Sequence, residues 1–301
     1  MASDTFIYRC AAGCDIKLDL YRPTVARPAP IIFWIHGGAL IGGGRRSLQP
    51  VLRDLLHARG YAQVSIDYRL APETKLPAIL DDVLEAHRWV RERLPLECSV
   101  DANRIGVVGG SAGGYLTLMT GCLFVPRARA LVSLYGYGDI VGPWYSAPDP
   151  FYTSLAAVTE EEARSVVGAQ PLSETPPHGP DRFRFYLWCR QNGRWPEEVM
   201  GADPKLHAAS FTPFCPERNV TPDYPPTLLL HGTADTDVPY QRSVDMAAAL
   251  AGAGVTHDFI TIEGGGHGFD GAIKLGNWDA QKNTTKGQAL LRIVDWFDRF
   301  V

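Results

Sequence analysis

Four strand-like runs in this chain, three of them largely apolar, each lead to a loop of small residues that carries a polar side chain. Ile31-Ile32-Phe33-Trp34-Ile35 ends in His36-Gly37-Gly38-Ala39, and Arg104-Ile105-Gly106-Val107-Val108 ends in Gly109-Gly110-Ser111-Ala112-Gly113. Thr227-Leu228-Leu229-Leu230 ends in His231-Gly232-Thr233-Ala234-Asp235-Thr236-Asp237-Val238-Pro239. His257-Asp258-Phe259-Ile260-Thr261-Ile262 leads to Gly264-Gly265-Gly266-His267-Gly268-Phe269. Short apolar runs bounded by glycine read as buried strands. Polar groups just past their carboxyl ends lie where open α/β sheets place ligand sites.

The rest of the chain supports that sheet. Residues 1–22 read as a hairpin, because Ile16-Lys17-Leu18-Asp19-Leu20-Tyr21 alternates with period two. A proline-rich connection from Pro23 to Pro30 follows. Helices are predicted near 47–59, 77–93 and 112–124, with a strand over 62–66 leading to Asp67. After 225 the order is strand 227–230, helix 240–252, strand 257–262 and helix 284–300. Such alternation predicts an α/β fold, with a mostly parallel central sheet and helices on both faces. Between about 137 and 225 the pattern breaks into prolines and aromatics, among them Trp144, Tyr145, Phe183, Tyr186, Trp188 and Trp195. Short helices are expected there at 159–168 and 181–192. A linker would be polar, so the expectation is a single domain over 1–301 with a cap inserted at about 137–225. Aromatics that merely pack on one another are the alternative.

A chain of 301 residues can bury a full core. Its net charge of −4 and the lack of a basic stripe argue against nucleic acid as a partner. No run of about 18 apolar residues occurs, so no membrane span is expected. Met1-Ala2-Ser3-Asp4-Thr5 does not read as a signal peptide, which points to a cytoplasmic protein. The six cysteines are scattered without metal-ligand spacing and read as free thiols. Cys10 and Cys14 flank a hairpin turn and would face each other across it. Neither a metal nor an organic cofactor is expected, and a homo-oligomer is left open.

Ser111 sits in G-x-S-x-G between a strand and a helix, a turn that pushes its hydroxyl out of the sheet. A serine needs a base within hydrogen-bond reach, and that base needs an orienting partner. His267, between glycines, is the candidate base. Asp235 and Asp237 compete as the acid, and Asp235 is favoured because it comes earlier in its loop. A tetrahedral intermediate needs backbone N–H donors. Ala112, directly after the serine, and Gly37, Gly38 and Ala39, whose side chains are minimal, are the candidates. His36 reads as a brace for its loop.

These motifs, with Asp67-Tyr68-Arg69-Leu70-Ala71-Pro72-Glu73, together resemble the esterases related to hormone-sensitive lipase. They also resemble nearby carboxylesterases and prolyl-oligopeptidase-like hydrolases. The resemblance implies the α/β-hydrolase fold, whose triad runs in the order Ser…Asp…His, and it implies Gly38 and Ala39 as oxyanion donors. It departs at Ala39, where a third glycine is common, and at Leu40, where an aromatic often follows. The expected activity is hydrolysis of carboxylic esters with small or aryl acyl groups through an acyl-Ser111 intermediate. The expected partner is a small-molecule ester. An amidase, formamidase or small peptidase with the same triad is the alternative.

Overall fold

The computed structural model describes residues 3–25 and 27–301. Met1 and Ala2 of the predicted hairpin, and Ala26 of the proline-rich connection, lie outside the described residues. The strands are β1 (Asp4–Ala11), β2 (Cys14–Tyr21), β3 (Ala29–Ile35), β4 (Ala62–Ile66), β5 (Val100–Gly110), β6 (Ala130–Leu134), β7 (Thr227–Gly232) and β8 (His257–Ile262). They form one sheet in the order β1-β2-β4-β3-β5-β6-β7-β8. β1 pairs antiparallel with β2 and β2 antiparallel with β4, and every pair from β4 to β8 is parallel.

Parallel strands bury both faces, and the side chains alternate between two cores. Ile31, Phe33 and Ile35 of β3 join one core, with helices Leu76–Glu92, Ala112–Leu123 and Gln241–Gly252. Ile32 and Trp34 join the other, beneath helices Pro50–Ala58 and Thr285–Phe300. The expected layers are therefore present. No helix among the described residues is long and apolar enough to cross a membrane.

Three details differ from the sequence reading. β6 had not been predicted; it fills the gap between β5 and β7. β5 runs on to Gly110, so the serine follows the strand's last residue directly. Cys10 pairs in register with Asp15, and Cys14 with Ala11. The two thiols therefore occupy neighbouring, not opposite, positions, and all six cysteines are free.

The connection from β6 to β7 holds helices Glu160–Ser165, Phe183–Asn192 and Trp195–Met200 among shorter turns. Thr159 and Glu162 form a capping box at the first, and left-handed Gly193 closes the second. Its aromatics stack in series: Trp144 on Tyr145 at 3.7 Å and Tyr145 on Trp195 at 4.0 Å between centroids. That stack is continuous with the core beneath it.

Candidate active site

Ser111 holds φ 57°, an unusual value for a residue with a side chain. The turn depends on close backbone approach. A Cβ on Gly113 would lie 2.1 Å from the carbonyl oxygen of Ile35, and one on Gly109 would lie 2.4 Å from that of Gly113. Glycine at both positions lets the helix start against β3 and β5 and leaves Ser111 at the end of the sheet.

His267 Nε2 lies 3.0 Å from Ser111 Oγ, and its Nδ1 lies 2.8 Å from Asp235 Oδ2. The other oxygen of Asp235 accepts the backbone N–H groups of Asp237 and Val238 at 2.8 and 2.9 Å. Asp237 does not compete for Nδ1. Its Oδ2 lies 3.4 Å from Nε2, on the serine side of the ring. Tyr135 packs edge-on against the imidazole with centroids 4.8 Å apart, and its hydroxyl donates to Asp270 at 2.7 Å.

The protonation states follow from these contacts. Burial opposes ionisation of Asp235, but the bonds from His231 and His267 and the His267 charge hold its carboxyl far below the usual range. Burial also opposes a charged His267. The Asp235 hydrogen bond and the charges of Asp237 and Asp235 outweigh it and raise His267 above its ordinary value. The ring is thus a stronger base than free histidine.

His36 is buried and stacks on Tyr68 at 4.1 Å, and Tyr68 donates to the His36 carbonyl at 2.9 Å. Burial pushes His36 down to about 4, so it is neutral. Its Nδ1 lies 2.7 Å from the carbonyl of Gly37. The Gly38 carbonyl is taken by Ile41 N and Gly42 N at 2.9 and 2.8 Å. A trans peptide points its N–H opposite to its C=O, so the N–H groups of Gly38 and Ala39 point away from those partners. Ala112 N–H opens its helix and has no intrahelical acceptor. Gly37, Gly38, Ala39, Ser111 and His267 line one cavity of about 770 Å³. All seven predicted site residues are thus found at one end of the sheet.

Several neighbours had little or no signal in the sequence. His231 lies 3.2 Å from Asp235 Oδ2, and only its place in the His231-Gly232 motif marked it out. Arg190, fully buried, binds Asp149 and Asp237 at 2.6 Å each, and Tyr186 donates to the same Asp237 oxygen. The fourteen residues from Pro171 to Arg184 include Pro176 and Phe183, which form a wall of the cavity. Among the described residues there is no group of three or more His, Cys, Asp or Glu side chains suited to a metal.

The resemblance expected from the motifs is borne out by known proteins. A polyketide synthase of Acremonium egyptiacum is 29% identical over 92% of this chain, which spans 15% of that protein's length. Esterase LipC of Mycobacterium tuberculosis is 28% identical over 84% of this chain and 57% of its own. The chain thus spans only part of these curated relatives. A Staphylococcus aureus structure of unknown function superposes over 100% of this chain and 99% of its own, with TM-score 0.77 at 21% identity. A family model for the alpha/beta hydrolase fold matches residues 32–271. With that match across most of its length, the chain belongs to the alpha/beta hydrolase fold family.

Proposed function

We propose that this hydrolase cleaves carboxylic esters through an acyl-Ser111 intermediate. The observation that carries the reading is the unbroken relay from Ser111 through His267 to Asp235; the N–H groups of Gly38, Ala39 and Ala112 are the oxyanion donors proposed beside it. His267 Nε2 takes the Ser111 proton as Oγ attacks the ester carbonyl. The oxyanion that forms is met by the three N–H groups; loss of one such donor costs about 10²–10³ in rate in comparable sites. The imidazolium then protonates the departing alcohol, and water repeats the sequence on the acyl-enzyme. Asp235 keeps the proton on Nδ1, so that Nε2 faces Ser111. The 137–225 segment acts as the cap, since it supplies one wall of the cavity, and small or aryl acyl groups fit a site of that size.

The esterase name of one relative agrees with this reading. The test is Ser111→Ala assayed on p-nitrophenyl acetate and on p-nitrophenyl benzoate, a small and an aryl acyl ester. The expected loss is at least about 10³–10⁴ on whichever substrate the wild type hydrolyses. Mass spectrometry of the wild type with a phosphonate should add one adduct, on Ser111. Near-wild-type turnover by the variant would overturn the proposal.

A further inference from the structure

Asp237 presents a carboxylate oxygen beside His267 Nε2, the nitrogen that must protonate the leaving group in the mechanism proposed above. Its Oδ1 is saturated by Arg190 Nη1 at 2.6 Å and by the hydroxyl of Tyr186. Its Oδ2 lies 3.4 Å from His267 Nε2, and the residue lines the cavity. The carboxylate cannot swing away. Arg190 is fully buried, is held from its far side by Asp149 at 2.6 Å, and packs against Tyr152 with its guanidinium carbon 4.5 Å from the ring centroid. Arg190 also binds the backbone carbonyl of Asp237 at 3.0 Å.

A fixed acceptor in this position reads the alcohol half of the substrate. The leaving oxygen must come within about 3 Å of Nε2 to receive its proton. Asp237 Oδ2, at 3.4 Å from the same nitrogen, is then its neighbour. A hydroxyl on the carbon adjacent to the ester-bearing carbon reaches across that gap. Resting on the esterase reading, we infer that the enzyme is built for esters of vicinal diols and polyols, with Asp237 accepting a hydrogen bond from the hydroxyl next to the leaving oxygen. An ammonium group in that position would be a poorer fit, because it would stand beside the imidazolium that His267 becomes in the same step. An ether or alkyl group leaves a partly buried carboxylate oxygen without a donor, and such unpaired groups are costly.

The test compares 2-hydroxyethyl acetate with 2-methoxyethyl acetate, which differ by the donor hydrogen. The wild type should favour the hydroxyethyl ester in kcat/KM by about tenfold or more, the discrimination a charge-assisted hydrogen bond supports. In Asp237→Asn the donors from Arg190 and Tyr186 hold the amide oxygen, so the NH₂ group faces the substrate and the preference should collapse to near one. The ratio cancels any general loss of activity in the variant, and the wild-type comparison needs no variant at all. Equal rates on the two esters in the wild type, or an unchanged preference in Asp237→Asn, would overturn the inference and leave the esterase reading intact. Hydrolysis of neither ester, with p-nitrophenyl acetate still cleaved, would do the same. Failure on all three substrates would overturn both.

Discussion

Asp235→Asn should act through the direction its amide is forced to take. Backbone N–H groups of Asp237 and Val238, at 2.8 and 2.9 Å, both donate to Oδ1. An asparagine keeps its oxygen there, because an NH₂ group would face two donors. The NH₂ then occupies the place of Oδ2, 2.8 Å from His267 Nδ1. Nδ1 must become an acceptor, so the imidazole proton moves to Nε2 and points at Ser111 Oγ. A ring in that tautomer cannot take the serine proton. In a serine protease the same change lowers kcat by about 10⁴, which is about 5 kcal/mol in the barrier. We expect a loss of that order here.

His231 adds a second consequence. Its Nε2 lies 3.0 Å from the carbonyl of Val238, which can only accept, so Nε2 carries the proton. The same nitrogen lies 3.2 Å from Asp235 Oδ2. In Asp235→Asn two donors face each other there, and a tautomer switch would strip the Val238 carbonyl of its partner. A stability loss of about 1–3 kcal/mol should follow, readable as a lower urea midpoint. Activity is to be measured as kcat/KM on a p-nitrophenyl ester, with active sites counted by a phosphonate. A loss smaller than tenfold would refute the tautomer argument. A large loss in Asp237→Asn alongside a small one in Asp235→Asn would move the orienting role to Asp237.

Two further outcomes follow from the same geometry. The rate should rise with pH through a value above the ordinary ~6.5 of histidine, because His267 must be neutral to accept a proton and its value is raised; in Asp237→Asn one raising charge is gone, so the acid limb should move to lower pH, and an unmoved limb would contradict the charge assignment. Gly38 holds φ 105°, and a Cβ there would lie 2.2 Å from the carbonyl oxygen of Gly42. Gly38→Ala should therefore displace an oxyanion donor and lower kcat by about 10²–10³; a kcat within threefold of wild type would remove Gly38 from that role.

The residues that line up at the sheet end were legible because each follows a strand-like run, rich in apolar residues, that leads into glycines. β3 is buried at all seven positions, and no surface alternation confuses its reading. β6, Ala130-Leu131-Val132-Ser133-Leu134, was missed for the converse reason. It is only five residues long, contains a serine, and is preceded by Arg127 and Arg129. At that length the pattern does not separate a strand from a piece of helix. The 137–225 segment was legible only as a departure from pattern. Its contacts reach far along the chain: Trp195 to Ala39, Arg182 to Ile41 and Arg190 to Asp237. Periodicity carries no information about such pairings, and no local motif marks the two arginines.

Those contacts bear on Ala39 and Leu40, where the proposed oxyanion loop differs from the motif it resembles. Ala39 and Leu40 hold φ 56° and 62°. Left-handed backbone costs a residue with a Cβ about 1–2 kcal/mol, and such strain persists only where the surroundings over-determine it. Here they do so through the carbonyls. Trp195 Nε1 donates to Ala39 O at 2.9 Å, Ala71 N to Leu40 O at 2.7 Å, Arg182 Nε to Ile41 O at 2.6 Å and Thr175 N to Gly43 O at 2.8 Å. Three of these four donors belong to the connection between β6 and β7. Arg182 is itself fixed by Glu73, at 2.7 Å, within the Asp67–Glu73 motif. The loop's outer carbonyls are thus held by the aromatic segment and that motif, while His36, Ile41 and Gly42 hold its inner ones. With both sets taken, the N–H groups of Gly38 and Ala39 have one direction left, and a third glycine is unnecessary. The segment that walls the cavity is therefore also the support that keeps the oxyanion loop in its strained form.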